Sequence, residues 1–272
     1  VTDPCDFETR SVFFKNFSQG LITMREIIRG EKITKKYGNV FALKGIDFTI
    51  HEKEIIGLIG DNGAGKSTLL NILIGLFPPD DGKIFLEGKE THFSSPADAR
   101  RKGIEIVYQF ENLVEGLSVY KNFFLGREIL KKAGFVKVLD RGKMRTISED
   151  ILAEIGITKD SDSLIESLSG GERQAVALGR AFHFGTNILL LDEPTRNLSL
   201  KEIDRSLKRI ITLHEKTTMS IIFVTHNVRH IFPIADRLIV LDRGEKICDK
   251  KTEETTIEEI VLMIAKEKVH LH

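Results

Sequence analysis

An α/β domain interrupted by a helical insertion is what this sequence predicts, and three observations carry the expectation. The apolar runs at 188–191 and 221–224 are continuous rather than alternating, as expected of strands buried on both faces of a parallel sheet. Strand-like and helix-like segments alternate up to about residue 110 and again after 167. Between 111 and 166 the strand signals fade, and glycines at 126, 134, 142 and 156 punctuate what reads as several helices.

Taken in order, residues 1–23 hold no sustained period and are expected to form an extension separate from the domain that opens at Met24. The first ten residues carry three acids and no apolar block, unlike a secretory leader. The domain, 24–272, is expected to open with an amino-terminal antiparallel β portion; strand signals run over 27–34, 41–50 and 54–60. Asp81-Gly82 then turns into a strand at 83–86. Helices are expected over 66–76, 96–102, 172–182 and 201–214, and strands over 187–192 and 219–225. The resulting division is a core of 24–110 and 167–245, a helical subdomain of about 111–166, and a carboxyl-terminal helical tail of 246–272.

Composition narrows the function classes. Forty basic and forty acidic residues give a formal net charge of zero, so the basic excess of a nucleic-acid footprint is missing. No apolar run approaches the ~18 residues of a membrane span. Work at a membrane would therefore require docking on a partner. Cys5 and Cys248 lie far apart and form no metal or redox spacing, as expected of two reduced thiols.

The strongest local signal is Gly60-Asp61-Asn62-Gly63-Ala64-Gly65-Lys66-Ser67-Thr68, a G-x-x-x-x-G-K-[ST] run between an apolar strand and a helix. Its glycines let successive N–H groups turn inward toward phosphate oxygens, and the following helix adds its positive end. Lys66 is placed to reach the β- and γ-phosphates of a nucleotide, and Ser67 to offer a hydroxyl to Mg²⁺. Asp192 and Glu193 close the second apolar strand. Two adjacent acids there are costly unless they bind something, although acids also end strands as ordinary loop starters. Asp192 is expected to hold Mg²⁺ through water, and Glu193 to polarise an attacking water as general base.

A second phosphate-binding end follows from Leu168-Ser169-Gly170-Gly171-Glu172-Arg173-Gln174. Ser169 and Glu172 form a capping box, and two glycines just inside it leave the first N–H groups open to an anion. By itself the box is also that of an ordinary capped helix. The whole segment resembles the signature of the ABC ATPases, at the position where that family carries it. The resemblance covers nearly everything from Met24 onward and implies a P-loop core of ABC type. It also implies that two subunits pack head to tail, each ATP lying between Lys66 of one copy and Ser169 of the other. Tyr37 matches the aromatic that stacks on adenine, though a strand tyrosine can equally be structural. Gln109 matches the glutamine that contacts Mg²⁺ and water, and His226 the switch histidine facing the γ-phosphate. Ser199 stands where many relatives carry Asp, which puts that cross-dimer contact in doubt.

Within the family, Phe93 to Arg100, Gly103 to Glu105, Leu117 to Asn122 and Phe124 to Glu128 look like the monosaccharide importers of ribose, galactose, xylose or fructose type. Here there is one set of motifs where most of that branch carry two, as in its single-domain members or in half of a fused protein. That resemblance implies an ATP-hydrolysing importer subunit on the cytoplasmic membrane face. Its partners would be a second such subunit, an integral-membrane permease and, indirectly, an extracytoplasmic sugar-binding protein, with no nucleic acid. The alternative is a soluble ABC ATPase acting on ribosome or DNA. Such members usually carry a charged helical linker, long heptad arms or zinc-binding cysteines, and this chain has none of these.

Overall fold

The computed structural model describes residues 25–108, 113–184 and 186–269. The chain opens with β1 (Glu26–Tyr37), β2 (Val40–His51) and β3 (Ile55–Ile59), followed by α1 (Lys66–Leu73). Next come β4 (Asp81–Leu86), β5 (Lys89–Thr91), α2 (Pro96–Arg101), β6 (Ile104–Val107) and α3 (Val119–Phe123). The middle holds β7 (Leu130–Ala133), β8 (Val136–Leu139), α4 (Arg141–Glu154) and α5 (Gly170–His183). The last part runs through β9 (Ile188–Asp192), α6 (Leu200–Glu215), β10 (Ser220–Thr225), α7 (Val228–Ile231), β11 (Arg237–Asp242), β12 (Glu245–Lys251) and α8 (Ile257–Val269).

Two main sheets form. The larger has the order β12-β11-β3-β10-β9-β6 and is parallel except for its edge pair β11–β12. The smaller, β2-β1-β4-β5, is antiparallel throughout. The continuous apolar runs acquire a physical reason here, because each central strand feeds two cores. Ile55, Ile59, Leu189, Leu191, Ile221 and Phe223 face the helical side, while Ile56, Leu58, Leu190, Ile222 and Val224 face α1 and the smaller sheet. A buried side chain of this size stabilises by about 1.5–3 kcal/mol relative to exposure. Gly57 must be small, since a Cβ there would come within 2.7 Å of Leu238 Cδ2.

The two sheets are joined by a polar strut. Arg237, at the start of β11, donates from Nε to Glu54 Oε1 at 2.6 Å and from Nη1 to Asp249 Oδ1 at 2.7 Å. It also reaches Glu54 Oε2 and the Thr49 carbonyl of β2. Glu54 is only 4% exposed, so the guanidinium is its main charge compensation.

Two sequence expectations need correction. Residues 111–166 are not purely helical: β7 and β8 pair as a hairpin, and the glycine expected to break a helix, Gly134, instead turns the chain with φ 65°. Alternating Val136 and Val138 supply the β-branched pattern that a short segment can satisfy as a strand. The tail beyond 245 also begins as a strand, β12, before it becomes helical.

Candidate functional site

In the larger sheet β3, β10 and β9 are parallel neighbours, so the loops at their carboxyl ends gather at one edge. That topology brings together segments more than a hundred residues apart and opens a cleft of about 750 Å³.

One wall is the 60–65 loop between β3 and α1. Gly65 has φ 103°, and a Cβ on it would lie 2.5 Å from the Ala42 carbonyl. Only glycine fits both the conformation and the approach of β2. Gly60 is equally confined, with the Leu241 carbonyl 2.3 Å from a Cβ placed there. Lys66 curls back over the loop, donating to the carbonyls of Gly60 at 2.7 Å and Asp61 at 2.8 Å. Burial lowers the pKa of its ammonium, against the upward pull of Glu193, Asp192 and Asp61.

The facing wall follows β9. Burial, followed by the charge of Glu193, raises the pKa of Asp192, while Lys66 pulls it back. Glu193 adopts φ 49°, an uncommon conformation for a residue with a Cβ. Its Oε1 accepts from His226 N at 3.1 Å and lies 2.8 Å from His226 Nδ1, while Oε2 has a single 3.5 Å contact from Thr225 Oγ1. A second rung joins the same two loops: Thr195 Oγ1 lies 3.0 Å from His230 Nδ1, and Asn227 Nδ2 lies 2.9 Å from His230 Nε2. An amide NH₂ can only donate, so Nε2 accepts and Nδ1 carries the proton toward Thr195.

The residues expected from sequence distribute clearly. Tyr37, Asn62, Gly63, Ala64, Gly65, Lys66, Ser67, Thr68, Asp192, Glu193 and His226 all line the cleft. Gly60 and Asp61 are not among its lining residues, and their carbonyls accept from Lys66. Leu168, Ser169, Gly170, Gly171 and Glu172 do not line it. They open α5, where Glu172 N donates to Ser169 Oγ at 3.3 Å and Ser169 N to Glu172 Oε2 at 2.8 Å, the reciprocal capping box. Gln109 lies outside the described residues. Thr195, Asn227 and His230 were not expected. The i, i+4 spacing of His226 and His230 across a short helix was the available signal. Ser199 caps α6, its N and Oγ both donating to Glu202 Oε2.

The donor set suits a hard divalent ion. A serine hydroxyl and a half-buried carboxylate whose pKa is raised are oxygen ligands short of positive charge.

Comparison with known proteins gives a consistent result. The family described as "ABC transporter" matches residues 43–196. The xylose/arabinose import ATP-binding protein XylG of Sulfolobus acidocaldarius is 42% identical over 238 residues, covering 87% of this chain and 93% of that protein. The fructose import ATP-binding protein FrcA of Rhizobium meliloti is 39% identical, covering 86% and 92%. Against the ribose import ATP-binding protein RbsA of Caldanaerobacter subterraneus, 37% identical, the chain spans about half of the relative's length, 49%. Among solved structures, cbiO1 from Clostridium perfringens, part of the ABC transporter complex cbiONQ, has TM-score 0.73 at 25% identity and covers 91% and 96% of the two chains. A dimeric ATP-binding cassette holding ADP and Pi after hydrolysis has TM-score 0.68 at 25% identity, covering 83% and 99%.

Proposed function

The chain belongs to the ABC transporter family as an ATP-binding ATPase, and on that premise we propose that it powers import of a simple sugar through a membrane permease. The observation that carries the chemical part is the convergence of Lys66, Ser67, Asp192, Glu193 and His226 on one cleft. The sugar is suggested by the import relatives that the chain matches over nearly their whole length.

In this reading the 60–65 loop and the amino end of α1 cradle the β- and γ-phosphates of ATP, with Lys66 as the direct charge partner. Tyr37, half exposed at the mouth of the cleft and edge-on to Phe77, takes the adenine. Ser67, Asp192 and Gln109 would hold Mg²⁺. When bound, the ion supplies neutralisation of phosphate charge. Glu193 is the general base. Its Oε1 is occupied by two donors from His226, so Oε2 is the oxygen left to accept the proton of the attacking water. His226 thereby fixes the rotamer of the base.

The capped start of α5 belongs to the opposite cleft of a head-to-tail dimer. Leu168, Ser169, Gly170, Gly171 and Glu172 lie outside their own subunit's cleft and still present a helix amino end suited to an anion. None of the described helices is long and apolar enough to cross a membrane. In this reading the ATPase acts peripherally, from the cytoplasmic face. The core is proposed as 24–110 and 167–245, with β12 continuing it beyond 245 as the edge strand of the larger sheet. The described part of the chain offers nothing that favours a ribosome or DNA partner.

The test is uptake. In cells lacking this subunit, the parent chain should restore import of one labelled sugar from a panel of xylose, arabinose, ribose and fructose, and Lys66→Ala should not. Restoration by Lys66→Ala, or uptake of none of the panel despite ATP turnover, would refute the reading.

A further inference from the structure

The hairpin β7–β8 stands apart from the rest of the molecule. Every residue of both strands is exposed, and none belongs to either hydrophobic core. Its turn residue Phe135 projects fully into solvent at 110% relative exposure, with Val136 at 61% beside it. A two-stranded ribbon of this kind is marginal without a partner.

The register sorts the side chains. Ala133 pairs with Val136 next to the Gly134-Phe135 turn, which makes the extreme tip apolar. Lys132 pairs directly with Lys137 on the other face. Like charges opposite each other in an antiparallel pair repel, so this pairing is unfavourable unless an anion lies against it. The surroundings repeat the sign. From 131 to 145 there are six Lys or Arg and one acid, in a chain whose charges balance only when this segment is included. Lys131 and Arg145 are neutralised by Asp140 and Asp162. Among the described residues, Lys132, Lys137, Arg141 and Lys143 make no ion pair.

The base of the ribbon is firmly held. Asp140 N donates to the Ile129 carbonyl at 2.7 Å, Asp140 caps α4 through Lys143 N, and Arg127 pairs with Glu105 of β6 while lying over the Phe184 ring. A rigid stem therefore presents an apolar point flanked by flexible cations.

We propose that this hairpin contacts an anionic lipid surface, with Phe135 and Val136 entering the headgroup boundary while Lys132 and Lys137 meet lipid phosphates. A protruding point needs no concave receptor, only a medium that accepts apolar atoms beneath a negative layer, and a bilayer interface is such a medium. Lysine stems are long enough to lie along the apolar boundary with their ammonium groups in the phosphate plane. Each lysine near an anionic membrane adds about fivefold to the partition coefficient, and the effect fades within a Debye length. The proposal extends beyond the transport reading, and its readout is independent of ATP turnover.

The chain contains no tryptophan, so Phe135→Trp introduces a single reporter. With vesicles of phosphatidylglycerol and phosphatidylcholine, its emission should shift to the blue, and the shift should disappear in pure phosphatidylcholine and at high salt. Adding Lys132→Glu and Lys137→Glu should weaken partition at least about 25-fold, from the two attractions lost. The unaltered chain should co-sediment with the same anionic vesicles. ATP turnover without vesicles checks that each variant is folded. Several results would overturn the proposal: no shift in a turnover-competent variant, an equal shift with neutral vesicles, a shift that grows with protein concentration alone, or one that needs membranes containing the permease.

Discussion

Replacing Glu193 by glutamine separates chemistry from binding, and the local geometry indicates how much each should change. The amide oxygen can still accept from His226 N and Nδ1, and the new NH₂ faces Thr225 Oγ1, itself an acceptor, across 3.5 Å. What is lost in folding is the charge assistance of those bonds, on the order of 1–2 kcal/mol. What is lost in catalysis is the group that takes the proton, a factor of about 10²–10⁴ in rate, or roughly 2.7–5.4 kcal/mol of barrier. Removing the carboxylate also removes the second cause of the raised Asp192 pKa. Repulsion against a γ-phosphate falls, and ATP affinity should hold or rise. The variant is therefore expected to collect as an ATP-filled dimer. Phosphate release, size-exclusion chromatography with ATP and Mg²⁺, and a melting curve measure the three quantities together. Near-parental phosphate release would refute the assignment of Glu193 as base. Lost release without a dimer would refute the claim that ATP alone closes two subunits.

Four further outcomes are expected. Lys66→Ala should abolish hydrolysis and weaken ATP binding, measured by calorimetry, since the phosphates lose their direct cation. Ser169→Arg should leave the monomer folded and able to bind ATP, yet prevent the mass doubling that ATP produces in light scattering. Arg237→Met leaves buried Glu54 with only its His51 contacts and should cost up to about 3–5 kcal/mol in denaturant unfolding. Finally, burial lowers the pKa of both His183 and His230. Their contribution to stability is complete above the unfolded value of about 6.5 and is lost as pH falls through the lowered folded values. The melting temperature should thus fall between pH 7.5 and 5.5, and less so in a His183→Gln, His230→Gln double variant. Asp98, with its pKa lowered to about 2 chiefly by the Ser94 backbone N–H, acts only in stronger acid and leaves this window unaffected.

The parts legible in the sequence are those whose physics is local. Residues 60–68 announce themselves because Gly65 needs a left-handed backbone and closeness to Ala42, demands that only glycine meets. Two-sided burial of β9 and β10 makes their runs continuous, and parallel neighbours necessarily bring their carboxyl ends to one edge. The hairpin escaped because a lone glycine such as Gly134, between Ala133 and Phe135, signals equally a helix break and a turn. Arg237 and Glu54, 183 residues apart, form a pair that no window along the chain can register. His230 escaped for the same reason: the hydroxyl it meets belongs to Thr195, 35 residues away.

The two rungs between the loops after β9 and β10 have a mechanical consequence. A single contact would act as a pivot, about which one loop could swing while the other stayed still. Contacts at both Glu193–His226 and Thr195–His230 remove that freedom, so the loops translate together but cannot splay. Any motion that brings one toward a neighbouring subunit carries the other at a fixed spacing. The carboxylate and its imidazole therefore arrive as one prefabricated piece, with their relative orientation settled during folding instead of being searched for at each turnover.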